Sequence, residues 1–141
     1  MTAELPSVPA GHLVLGVGID VVAVERFAAS LARTPSLRDR LFAPDELVSA
    51  SGSLHRPVSL AGRFAVKEAV AKALGVPRGM QWHDCTVISL NSGQPELVTT
   101  GTVLAAARAL GVTTWRLSLS HDAGIAAAVV LALGSTQGRE R

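Results

Sequence analysis

The stretch from Ser59 to Leu74 constrains this chain more than any other. It reads as a helix with both ends marked. Ser59 is a helix-opening residue, Gly75 suits the left-handed position that closes a helix, and Pro77 forbids continuation. Val66, Val70, Ala73 and Leu74 project to one side, and Phe64, Glu68 and Lys72 project to the other, flanked by the small residues Ala61 and Gly75. Such a helix packs its Val/Leu face on a core and offers a carboxylate and an ammonium one turn apart on the opposite face. That core has little aromatic material to draw on, because the chain holds three Phe, two Trp and no Tyr. Ala, Val, Leu and Ile must fill it. At 141 residues the chain makes one domain, and 48% hydrophobic residues exclude a disordered one.

The remaining elements follow from periodicity and punctuation. Residues 1–11 read as a loose leader, 12–134 as the domain and 135–141 as a tail. Leu13 to Ile19 is an apolar run of strand length ending at Asp20. Val24, Phe27, Ala28 and Leu31 have helical spacing, with Arg26 and Arg33 seven residues apart on a more exposed stripe, and Thr34-Pro35-Ser36 ends that helix. A short helix is expected at Ala43-Pro44-Asp45-Glu46, its acids favoured by the helix dipole, and Ser49 to Pro57 reads as a loop. Cys85–Leu90 and Glu96–Thr100 are expected strands joined by the turn-rich Asn91 to Pro95, and Thr102–Leu110 is an Ala-rich helix closed by Gly111. Trp115 to Ser120 alternates as a half-buried strand, and Ile125 to Leu133 reads as a buried final strand. The order β, α, α, α, β, β, α, β, β defines an α+β fold, a single compact domain whose last strands are mainly antiparallel.

Several function classes drop out. A net charge of +2 without a dense Lys/Arg run or interleaved aromatics argues against nucleic acid. The longest apolar run, Ala123 to Gly134, is about half of the roughly 20 residues a membrane helix needs. A lone cysteine, Cys85, gives no disulfide and no redox pair. Met1 to Pro9 lacks the basic region of a signal peptide, so the cytoplasm is the expected location. His12, His55 and His83 lack metal-ligand spacing and are expected at the surface.

Three segments carry possible chemistry. In Gly16-Val17-Gly18-Ile19-Asp20 the glycines allow a close approach of backbone or ligand, and Asp20 sets a carboxylate at the strand end. The dinucleotide fingerprint fails, because Val21 stands where its third glycine belongs. Packing glycines with Asp20 as a helix cap explain the same residues. Glu68 and Lys72 at i, i+4 suit an ordinary exposed ion pair, worth roughly 0.3–0.5 kcal/mol. The lysine bookkeeping points elsewhere: of thirteen basic residues only Lys67 and Lys72 are not Arg. A compact ammonium suits a phosphate. In Ser118 to Asp122 a Ser-His-Asp triad is rejected, since adjacent strand residues point to opposite faces, but His121 is placed to face a site.

Taken together, Gly16-Val17-Gly18-Ile19-Asp20 with Val24-Glu25-Arg26-Phe27, then Arg63-Phe64-Ala65-Val66-Lys67-Glu68-Ala69 with Lys72 and Gly75, and the closing Leu117 to Asp122, resemble the short phosphopantetheinyl transferases, the holo-acyl-carrier-protein synthase family. The resemblance runs from about Leu15 to Leu133. It implies transfer of the 4′-phosphopantetheine arm of coenzyme A to a serine of an apo acyl-carrier protein, in fatty-acid synthesis, polyketide synthesis or both. It implies Mg²⁺ held by Asp20 and Glu68, with Lys72 on phosphate oxygens and Glu68 taking the serine proton directly or through a metal-bound water. Asp20, Glu68 and Lys72 are then the catalytic set, and Arg63, Lys72, Gly75 and His121 bind coenzyme A. Arg26 and Arg33 dock an acidic carrier, with Arg38 and Arg40 beyond. It further implies a homotrimer with active sites between subunits and His121 and Arg116 near a boundary. Two positions depart from the family pattern, Gln94 before Pro95 where a basic residue is usual and Arg116 where a histidine is common, and both bear on the nucleotide end of coenzyme A. A non-catalytic binding module on the same fold and a small RNA-binding domain are the competing readings. Intact Asp20, Glu68 and Lys72 argue against the first and the scarce aromatics against the second.

Overall fold

A computed structural model describes residues 7–90 and 92–136. Residues 1–6 of the expected leader, 137–141 of the tail, and Asn91 in the hairpin connection lie outside the described residues. The order is β1 (His12–Ala23), α1 (Val24–Arg33), α2 (Leu37–Leu41), α3 (Pro44–Leu47), α4 (Pro57–Ala73), a 3-10 turn (Trp82–Asp84), β2 (Cys85–Ser89), β3 (Pro95–Thr99), α5 (Gly101–Ala109), β4 (Thr114–Asp122) and β5 (Ile125–Ser135). Strands β1, β5 and β4 form one antiparallel sheet with β5 in the centre, and β2 and β3 form a separate hairpin. Ala123 and Gly124, with φ of 50° and 77°, make the two-residue turn between β4 and β5, whose twist matches the strands it joins.

Helix α4 lies across the inner face of the sheet, and the contact is made of small residues. Ala65, Ala69 and Ala73 are buried on the helix, opposite Gly18 of β1 and Ala126, Ala128 and Ala132 of β5. A methyl group built on Gly16 would lie 2.0 Å from the Ala73 carbonyl oxygen. The two glycines therefore set how closely helix and strand approach. Both sequence readings of that strand meet here: the glycines are packing residues, and the packing they permit brings Asp20 to the helix.

The structure corrects several expectations. Helix α4 begins at Pro57 with Arg56 as its cap, because proline tolerates the first helical position. The Ser59 hydroxyl is used elsewhere, accepting a 2.7 Å hydrogen bond from Arg63 Nη1. Helix α2 has five residues, too few to register as a helical period. Glu46 sits in the first turn of a short helix as expected, its Oε1 accepting the Ala43 N–H at 3.0 Å, but is fully buried, which the dipole argument did not anticipate. Strand β5 is buried on one face only: Ile125 and Val129 on its outer face remain exposed, as do Val17, Ile19 and Val21 on β1 beside it. A continuous apolar run reads the same whether its second face is covered by the same chain or left open.

The scarce aromatics gather in one place. Phe27 stacks on Phe64 at 5.2 Å, Phe64 meets Trp82 at 5.8 Å, and Phe27 meets Phe42 edge-on at 6.4 Å. This cluster ties α1 to α4 and the 3-10 turn. Among the described residues no helix is long and apolar enough to cross a membrane.

Candidate active site

Phe64, Glu68 and Lys72 form the least buried stripe of α4, as their spacing predicts. Lys72 does not pair with Glu68. Its ammonium donates to Asp20 Oδ1 at 3.0 Å and to the Ile19 carbonyl oxygen at 2.9 Å, reaching from the helix to the strand end. That leaves Glu68 without a hydrogen-bond partner among the described residues. Burial pushes the Glu68 carboxyl above the ordinary value and the negative charge of Asp20 pushes it further, with Lys72 partly offsetting both. Two carboxylates and one ammonium thus share the edge of the sheet at β1. The helix-capping role for Asp20 does not hold, since α1 starts at Val24 with Ala23 as its cap and no side-chain cap bond.

A second group lies toward the other edge. Arg63 is 8% exposed, and its Nη1 and Nη2 donate to Ser59 Oγ and, at 3.1 Å, to Ser89 Oγ. Its Nε is buried with no partner. Arg63 lines a cavity of about 420 Å³ with His55, Arg56, Ser59, Ser120 and His121. Burial lowers the His55 pKa, and the Arg63 charge adds to the effect, so this imidazole is neutral near pH 7. His55 is therefore a half-buried wall residue rather than the expected surface one. Its place in the wall, with that of Arg56, was not legible because the loop before α4 shows no periodicity.

Helix α4 runs diagonally between these groups, with Gly62 beside Leu119 of β4 and Ala69 over Gly18 of β1. The structure brings Asp20, Glu68 and Lys72 together and, separately, Arg63 and His121. Gly75, with φ of 78°, closes the helix just after Lys72, its N–H donating to the Lys72 carbonyl at 3.1 Å, and lies about 18 Å along the helix axis from Arg63. Arg26 and Arg33 are both exposed on α1. A larger cavity, about 860 Å³, lies between β3, α5 and β4 and is lined by both Gln94 and Arg116, but holds none of Asp20, Glu68 and Lys72. Size does not locate the chemistry in this molecule; the convergent charges do.

The two lysines have separate fates. Lys67 is fully buried and never reaches the site stripe: its Nζ lies 2.7 Å from Glu46 Oε1. Cys85 is also buried, its thiol pushed up to about 12 chiefly by burial, which removes it as a nucleophile.

Residues 16–130 match the model of the 4′-phosphopantetheinyl transferase superfamily, and the chain belongs to that family. It is 57% identical over 120 residues to a protein of Salinispora arenicola named holo-[acyl-carrier-protein] synthase, spanning 85% of this chain and 98% of that one. Its fold is similar to the crystal structure of the holo-ACP synthase of Plasmodium yoelii, with a TM-score of 0.79 at 26% identity over 89% of this chain and 99% of the other. The Helicobacter pylori holo-[acyl-carrier-protein] synthase in complex with coenzyme A matches with a TM-score of 0.71 at 29% identity, over 82% and 98% of the two chains.

Proposed function

We propose that this chain transfers the 4′-phosphopantetheine arm of coenzyme A to a serine of an apo acyl-carrier protein, releasing adenosine 3′,5′-bisphosphate. The observation that carries the reading is the Asp20–Glu68–Lys72 cluster, found in a chain of this family on the two elements that its glycines hold in contact. The serine oxygen attacks the β-phosphorus, the bond from that phosphorus to the bridging oxygen breaks, and the leaving bisphosphate takes up negative charge. Glu68 accepts the serine proton. Its raised pKa and lack of an internal partner suit a base. Lys72, more exposed than Asp20, turns from Asp20 to the phosphate oxygens when substrate arrives.

Mg²⁺ fits this site. Among the described residues no cluster of three or more ligating side chains exists, and a Mg²⁺ ion needs only one or two carboxylates beside substrate phosphates and water. Asp20 and Glu68 would hold it, and their mutual repulsion is what a dication relieves. When bound it supplies neutralising charge for the pyrophosphate.

Arg63, with an unpartnered Nε, supplies a guanidinium and His121 an imidazole to the phosphates at the nucleotide end of coenzyme A. Arg26 and Arg33 form a docking stripe for the acidic carrier. The working unit is a homotrimer with active sites between subunits. Two observations support it: the outer sheet face leaves Ile19 61% exposed among other apolar residues, and the two charged groups sit toward opposite edges of one sheet. Packing the β4 edge of one subunit against the β1 edge of the next completes a site. The cytoplasm, where coenzyme A and a soluble carrier meet, is the location consistent with this chemistry.

Glu68→Gln tests the assignment. It keeps size and polarity but removes the base, so phosphopantetheine transfer is abolished while the sedimentation of the assembly is unchanged. Near-normal turnover by this variant would contradict the role.

A further inference from the structure

The transfer reaction as set out above makes no use of Lys67, yet its side chain is fully committed inside the fold. Its ammonium is fully buried and spends three hydrogen bonds: on Glu46 Oε1 at 2.7 Å, on the Cys85 carbonyl at 2.6 Å and on the Trp82 carbonyl at 3.0 Å. Glu46 is equally committed. Its Oε1 also accepts the Ala43 N–H and its Oε2 the Val87 N–H, each at 3.0 Å. The Phe42 ring lies 5.5 Å from the ammonium. One ion pair thus ties the middle of α4 to α3, to the 3-10 turn and to the first residues of β2.

Such a pair is a weak stabiliser, since desolvating two charges costs about as much as their attraction returns; what it provides is one defined arrangement. The arrangement has a visible consequence. Lys67 fixes β2 at Cys85, and Glu46 fixes it at Val87. Two residues further along the same strand, on the same side of its pleat, Ser89 accepts the hydrogen bond of Arg63 Nη2. Arg63 stands one helical turn before Lys67 on α4. Helix and strand are therefore held at two points, the ion pair and the Arg63–Ser89 bond. The second aims a guanidinium whose Nε is buried without a partner.

We propose that the Lys67–Glu46 pair and Ser89 are positioning residues for coenzyme A. The pair sets the placement of β2 on α4, and Ser89 passes that placement to Arg63 at the cavity wall. This rests on the reading of Arg63 as a coenzyme A contact. The residues act through Arg63 and touch neither the carrier nor the reacting phosphorus.

The test is steady-state kinetics of transfer with both substrates varied, on the unmodified chain, Ser89→Ala, the paired replacement Lys67→Met with Glu46→Gln, and the two combined. Removing both charges together avoids an unpaired buried ion. Ser89 is exposed, so Ser89→Ala leaves the fold intact and decides the matter even where the paired variant does not fold. Ser89→Ala is expected to raise KM for coenzyme A on the order of 10-fold and leave KM for the carrier unchanged, with Ser89→Thr restoring it. The paired variant raises the same KM, and the combined variant adds little further, because all act through one guanidinium. Unchanged KM for coenzyme A in Ser89→Ala would overturn the proposal, as would full additivity, or a paired variant that loses only kcat in proportion to its folded fraction. Absence of transfer by the unmodified chain would contradict the function itself; normal transfer by it with unaltered KM in the variants contradicts only the positioning role.

Discussion

A methyl group on Gly18 would come within 1.7 Å of the Ala69 carbonyl oxygen and 3.0 Å of the Ala73 nitrogen, so the strand and the helix that carry the acidic cluster meet without room for one more carbon. Gly62, on the same helix, is a different case: its added carbon would find only Leu119 Cδ2, at an ordinary 3.8 Å. The two glycines predict opposite outcomes. Gly18→Ala is expected to cost about 3 kcal/mol or to prevent folding, because backbone rather than a flexible side chain must give way. Gly62→Ala is expected to gain about 0.5–1 kcal/mol, the cost of glycine in a helix interior. Urea unfolding at one fixed protomer concentration measures both, and similar values for the two would contradict the packing argument. The same close contact explains how three charges share a small volume. Lys72 spans helix to strand only because no side chain stands between Ala69 and Gly18. Asp20 remains close enough to Glu68 that its charge disfavours ionisation of the Glu68 carboxyl, the balance a phosphate-handling site needs before its substrate arrives.

At the scale of elements, α5 shows how one acid can anchor a helix from outside it. Asp84, at the end of the 3-10 turn, accepts the Thr102 N–H at 2.8 Å and the Thr102 hydroxyl at 2.7 Å. The Thr102 backbone bond, then its hydroxyl, hold the Asp84 carboxyl below its ordinary 3.8. The folded chain therefore binds that proton more weakly than the unfolded one. The stabilisation is complete above the unfolded value and is lost as pH falls through the depressed one. The melting temperature of Asp84→Asn should lie below that of the parent at neutral pH, and the gap should close as the pH drops below about 4. A gap independent of pH would contradict the assignment.

Helices α1 and α4 were legible because their apolar spacing and closing residues agree, and the site stripe of α4 was legible because Phe64, Glu68 and Lys72 recur every fourth position. Glu46 was not. Its partner lies 21 positions away, and nothing local separates an acid at an exposed helix start from one folded inward onto a lysine. Ser59 was misread for the same reason: its hydroxyl satisfies a cap or a guanidinium equally well, and tertiary contact decides. Lys67 and Lys72 drew attention together, but only tertiary contact separates them: Lys67 is buried against Glu46, and Lys72 is half exposed beside Asp20.

At the scale of the whole molecule, the sheet's two faces divide the work. The inner face is covered by α4. The outer face presents Val17, Ile19 and Val21 beside Val129, an apolar surface continuous across β1 and β5. In a trimer this surface is buried, and sedimentation should give three times the 14.6 kDa chain mass. Val129→Asp should reduce that mass to one chain and remove transfer with it. Sites shared between subunits make a sharper prediction. After subunit exchange, a mixture of Glu68→Gln and His121→Ala trimers should recover activity that neither shows alone, because some interfaces then join two intact walls. A mixture no more active than the sum of its parts would place the whole site within one chain. The central claim is the transfer itself, and one measurement meets it directly: intact-mass spectrometry of an apo acyl-carrier protein incubated with this chain, Mg²⁺ and coenzyme A. The account predicts a gain of one phosphopantetheine arm on the carrier, absent when coenzyme A is left out, and a carrier of unchanged mass across cognate carriers would contradict it.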